Sequence, residues 1–135
     1  MNVFFYGLFM DEQLLAEKGI TPKNAAVGSI DGYRLRIGER ATLQPCTGAR
    51  AYGVMMDISV NDVRKLYSDS GVADYVPEPV TVELITGSRA EASCYNLPGN
   101  DVAGVNKGYA EALFEVANRL GLPESYLEQI RRAGA

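Results

Sequence analysis

The apolar run Val3-Phe4-Phe5-Tyr6 predicts a buried first strand, and Gly7 to Met10 a turn leaving it. Asp11 is placed to cap a short helix carrying Leu14 and Leu15, which Gly19 and Pro22 close. Ala25 to Ile30 reads as a second strand, ended by Asp31-Gly32. Tyr33-Arg34-Leu35-Arg36-Ile37 alternates, which predicts a half-buried strand with both arginines on its exposed face. Two more strands are expected over Ala41 to Leu43 and Ala51 to Asp57.

Ser59 and Asp62 form a weak capping box for a helix whose apolar face is Val60, Val63 and Leu66-Tyr67, ending before Gly71. Tyr75 to Thr86 is strand-like, with Pro77 and Pro79 confining its start to an edge or bulge. Gly87-Ser88 is a hairpin turn, and Ala90 to Tyr95 returns. Leu97 to Gly104 reads as a loop. Asn106 then caps an amphipathic helix from Lys107 to Leu120, with Tyr109, Ala110, Leu113, Phe114, Ala117 and Leu120 as core. Leu113 and Phe114 are expected to dock it on the sheet. Gly121 ends it, and Glu124 to Ala133 forms a last helix. With strands first and helices gathered late, the class is α+β, one domain over residues 1–135 with a curled, mostly antiparallel or mixed sheet.

Composition removes several chemistries. A net charge of -4 and a pI near 4.8 argue against nucleic acid. No apolar run reaches the roughly 20 residues of a membrane span, and the N-terminus does not read as a signal peptide, so a cytoplasmic protein is expected. The chain has no histidine, which excludes Ser-His-Asp and Cys-His catalysis and His-based metal sites. Cys46 and Cys94 are expected to be free core thiols. Acid–base work is left to Asp, Glu, Lys, Tyr and Cys.

The order of motifs resembles the gamma-glutamylcyclotransferase family, in the small bacterial branch that includes AIG2-like proteins. The matching segments are Phe4 to Met10, Gly32-Tyr33-Arg34-Leu35, Ala51-Tyr52-Gly53-Val54, Leu66 to Tyr75, and Gly121-Leu122-Pro123 with Tyr126. The resemblance implies a small barrel-like mixed sheet with flanking helices around a cavity. It also implies a cofactor-free reaction. The amine of a gamma-glutamyl group attacks its own side-chain amide, giving 5-oxoproline and a released amine. Turn N–H groups at Tyr6, Gly7, Leu8 and Phe9, with Tyr75, would hold the substrate. A carboxylate would move the proton.

Two positions depart from that pattern. Leu8 stands where the family carries a small polar residue, and Ser70, before Gly71, stands where it carries the catalytic Glu. Loss of a general acid–base costs on the order of 100- to 10,000-fold. Asp69 is the nearest replacement in sequence, with Glu78 and Glu83 further stand-ins, although Pro77-Glu78-Pro79 is expected to present Glu78 to solvent. Arg34, Arg36, Arg40 and Arg50 make a basic stretch that could attract an anion. Three readings follow. The first is a weakly active or inactive protein that binds a small amino-acid-like or carboxylate ligand beside Tyr6-Gly7. The second is an active cyclotransferase that uses Asp69 or another acid. The third is an interaction scaffold with a filled cavity. The sequence fixes neither the ligand nor the oligomeric state.

Overall fold

The computed structural model describes residues 1–98 and 104–134. Five strands close into a barrel in the order β1-β3-β2-β4-β5, with helices outside it, which is the α+β barrel expected. The strands are β1 (Asn2–Phe5), β2 (Lys23–Ile37), β3 (Ala41–Asp57), β4 (Val76–Leu84) and β5 (Arg89–Asn96). The helices are α1 (Glu12–Glu17), α2 (Val60–Leu66), α3 (Lys107–Arg119) and α4 (Glu124–Ala133). All pairings are antiparallel except β1 with β5, a parallel contact at Val3 and Ser93 that closes the barrel.

The strands are longer and fewer than the sequence pattern predicts. The two expected over 25–30 and 33–37 are one strand, β2, with a register shift between Asp31 and Tyr33 where Gly32 takes φ +82°. A glycine there bends the strand without ending it. Likewise 41–43 and 51–57 belong to one strand, β3: Gln44 and Pro45 pair with Arg34 and Tyr33, Arg50 pairs with Asp31, and residues 46–49 bulge between them opposite Gly32. Pro77 and Pro79 have no N–H to donate, and the ladder between β2 and β4 is confined to Gly28–Leu84 and Ser29–Glu83.

Alternation holds where it was clearest. Leu35 and Ile37 are buried while Arg34 and Arg36 are exposed. Ser59 caps α2 by accepting from the Asp62 N–H at 3.2 Å, but Val60 is exposed rather than part of the apolar face. Asn106 caps α3 through the Tyr109 N–H at 2.9 Å. Leu113 is fully buried. Phe114 is only half-buried and lies under the Arg131 guanidinium of α4, 4.5 Å from its ring centre, so it joins the two helices. Cys94 is buried, whereas Cys46 sits on the β3 arm, half-exposed, and is not a core residue. Most of the expected loop 97–104 lies outside the described residues.

Candidate functional site

The site begins where β1 leaves the barrel. Gly7 follows Tyr6, and residues Leu8–Met10 form a single 3₁₀ turn closed by the Met10 N–H to the Gly7 carbonyl at 3.0 Å. Asp11 then caps α1 through the Gln13 N–H. The Leu8 N–H reaches the Tyr109 hydroxyl of α3 at 3.4 Å. The N–H groups of Gly7 and Phe9 have no partner among the described residues. A Cβ built on Gly7 would lie 2.5 Å from Tyr109 Oη, so it is close approach to α3, not backbone conformation, that requires glycine there.

This turn borders a cavity of about 360 Å³. The cavity brings together Tyr6, Gly7, Leu8, Phe9 and Tyr75, the residues the sequence nominated for binding. It adds Arg40, from the basic stretch expected to attract an anion, and residues that sequence reasoning missed: Tyr67, Tyr95, Tyr109 and Lys18. Five of the chain's eight tyrosines thus surround one space. The helical stripe places Tyr109 in the core, because such a stripe does not distinguish a ring filling the core from one ending at a cavity. The clustering of tyrosines near Gly7 and Gly71 was the signal available.

Each ring is held. The Tyr6 hydroxyl donates to the Tyr95 carbonyl at 2.7 Å, and the Tyr75 hydroxyl to the Ala41 carbonyl at 2.5 Å. Tyr67 stacks face to face on Tyr95, with centroids 4.1 Å apart, and meets Phe9 edge-on. Burial raises the pKa of Tyr6, Tyr67, Tyr75 and Tyr109 above the usual phenol value, so these hydroxyls stay neutral. Beneath them Cys94 is pushed up to about 12, again by burial, and is no nucleophile.

The charged residues on the cavity wall are cations. Arg40 pairs with Asp74 through two contacts of 2.5 and 2.9 Å and lies over the Tyr75 ring. It also reaches the Gly71 carbonyl, which ties the segment between α2 and β4 to the barrel. Lys18 has no ion-pair partner among the described residues. No carboxylate lines the cavity among those residues.

The acid–base candidates lie elsewhere. Ser70 and Asp69 are exposed and outside the cavity lining, although Gly71 is part of it. Asp69 Oδ1 accepts from the Gly71 N–H at 3.0 Å and so is held in a local turn. Glu78 does not face solvent as expected. It is half-buried and accepts from the Tyr33 hydroxyl at 3.2 Å, because residue 78 shares the inward face of β4 with Val80 and Val82. Glu83 is partly exposed and lies 4.0 Å from Arg50. Arg34 and Arg36 are not in the cavity lining. Among the described residues no group of Cys, Asp and Glu could hold a metal, and no helix is long and apolar enough to cross a membrane.

Solved structures share this fold at low identity. A gamma-glutamyl cyclotransferase is 18% identical with a TM-score of 0.78, the match covering 96% of this chain and 85% of that one. An uncharacterised protein from Homo sapiens is 21% identical with a TM-score of 0.77 and the same coverage. YkqA from Bacillus subtilis is 22% identical with a TM-score of 0.78, and this chain spans about half of it (53%). At these identities the likeness establishes the fold and nothing finer. No curated protein sequence matches the chain. The model of the AIG2-like family, however, matches residues 50–130, more than half of the sequence, and the chain belongs to the AIG2-like family.

Proposed function

We propose that this AIG2-like protein binds a small amino-acid-like or carboxylate ligand in the cavity beside Tyr6-Gly7 and performs little or no 5-oxoproline-forming chemistry. The observation that carries this reading is the composition of the cavity wall. It presents tyrosines, apolar side chains, Lys18 and Arg40, and among the described residues no carboxylate.

Cyclisation of a gamma-glutamyl group forms an N–C bond to the amide carbonyl and breaks the bond to the leaving amine. The attacking ammonium must lose a proton and the departing nitrogen must gain one. A single positioned carboxylate can do both. The neutral tyrosines cannot accept the proton near pH 7, and Cys94, with its raised pKa, cannot either. The free N–H groups of Gly7 and Phe9, together with Lys18, favour an anion at the wall. A filled cavity, as the scaffold reading requires, is not what surrounds Gly7. Two free thiols are in keeping with a reducing cytoplasm.

The test is 5-oxoproline release from gamma-glutamyl amines and dipeptides. The protein should be silent or within about 100- to 10,000-fold below a catalyst with an intact acid–base. Robust release, abolished by Asp69→Asn, would establish the active reading instead. Ser70→Glu restores a carboxylate next to Gly71. A rise in release would support Ser70 as the position of the family's Glu.

A further inference from the structure

We infer that the ligand is an apolar-bodied monocarboxylate without a free ammonium group: an aryl or branched-alkyl acid rather than a zwitterionic amino acid. This rests on the reading of the cavity as a ligand site and narrows what that site takes.

The walls set the body of the ligand. Phe5, Phe9, Leu14 and Val72 join the five tyrosines, so most of a guest would meet carbon. Pockets that bury their ligands in this way gain chiefly from apolar contact and use a few polar groups to fix orientation. Those polar groups are donors. Lys18 is unpaired among the described residues, whereas the Arg40 charge is already taken up by Asp74. The Tyr67 and Tyr109 hydroxyls make no donated bond to a described residue, which leaves their protons for a guest. A carboxylate accepts from all of these.

An ammonium finds the reverse. No carboxylate is on the described wall. The wall's Tyr95, Ala41 and Gly71 carbonyls already accept from Tyr6, Tyr75 and Arg40. An aromatic face could hold a cation instead. Here Tyr67 and Tyr95 cover one another's faces, and Arg40 already lies over Tyr75. A buried ammonium without a partner is strongly disfavoured, and the neighbouring Lys18 adds repulsion.

Isothermal titration of the full chain with matched pairs tests this: 3-phenylpropionate against L-phenylalanine, and 4-methylpentanoate against L-leucine. Each pair shares its apolar body and carboxylate and differs by the α-ammonium. The acid should bind at least tenfold more tightly than its amino acid. Lys18→Met, a surface change that leaves the fold intact, should weaken the acid several-fold and leave the neutral 3-phenylpropanol unchanged. Equal or tighter binding of the amino acids, or of a gamma-glutamyl amine, overturns the inference while the ligand site stands. Binding of none of these compounds at millimolar concentration overturns the inference and the ligand site together.

Discussion

Seating of α3 against the Tyr6-Gly7 turn can be measured by crossing two substitutions. Gly7 has φ -105° and ψ -154°, an extended conformation open to alanine, so Gly7→Ala brings no backbone strain. Its new methyl would lie 2.5 Å from Tyr109 Oη but 3.9 Å from the next ring atom, Cζ. The first distance demands displacement of a half-buried ring and the second is ordinary contact. Overpacking of this kind costs about 1–3 kcal/mol. Tyr109→Phe removes the offending oxygen and with it the 3.4 Å bond from the Leu8 N–H, a loss of about 0.5 kcal/mol at the weak end of the range. In the Y109F background Gly7→Ala should cost almost nothing, and reduced freedom of the unfolded chain could make it stabilising by about 0.4–1 kcal/mol. The expected coupling is therefore about 1–3 kcal/mol, with the double variant more stable than Gly7→Ala alone. Urea denaturation with unchanged m-values gives the four stabilities. Additivity within about 0.5 kcal/mol would refute the contact, and with it the placement of Tyr109 at the cavity.

Three further outcomes follow from packing and charge. Leu113→Ala should cost about 2–5 kcal/mol, because the side chain is fully buried in the core beneath α3; a loss under about 0.5 kcal/mol on thermal or urea unfolding would show α3 to be undocked. At pH 8 a thiol reagent should modify Cys46 in the native protein and spare Cys94 until unfolding, since burial lifts the Cys94 pKa to about 12; equal rates would contradict its burial. Arg40 holds the Asp74 carboxyl below its ordinary value, so the pair's contribution is present above about pH 4 and is lost as pH falls through the lowered folded-state value. Asp74→Asn should accordingly be less stable than the natural protein at neutral pH and converge with it in acid; a difference that stays constant across that range would show the pair to be idle.

How much of this was legible depends on which physical cue each segment carried. Strand alternation at Tyr33 to Ile37 and the Ser59 and Asn106 caps read correctly because local periodicity and side-chain capping decide them. The breaks assigned within β2 and β3 were misplaced. Gly32 and the polar 44–50 stretch look like turns locally, yet they form a bulge on either side of which the β2–β3 ladder continues. The Tyr6-Gly7 turn was visible as an apolar run meeting glycine. The cavity's tyrosines were not, since Tyr67 at the end of α2, Tyr95 in β5 and Tyr109 in α3 meet only through tertiary packing. Glu78 was misread because flanking prolines suggest exposure, whereas the two-residue alternation of β4 turns it inward to Tyr33.

The central claim, that a small carboxylate occupies the space beside Tyr6-Gly7, is tested most directly by a ¹H–¹⁵N NMR titration of the labelled protein with 3-phenylpropionate, which has a carboxylate, an apolar body and no ammonium. The amides of Gly7, Leu8, Phe9 and Gly71 should shift together and saturate, with α4 unmoved. Saturable shifts confined to another face, or none at millimolar ligand, would contradict it.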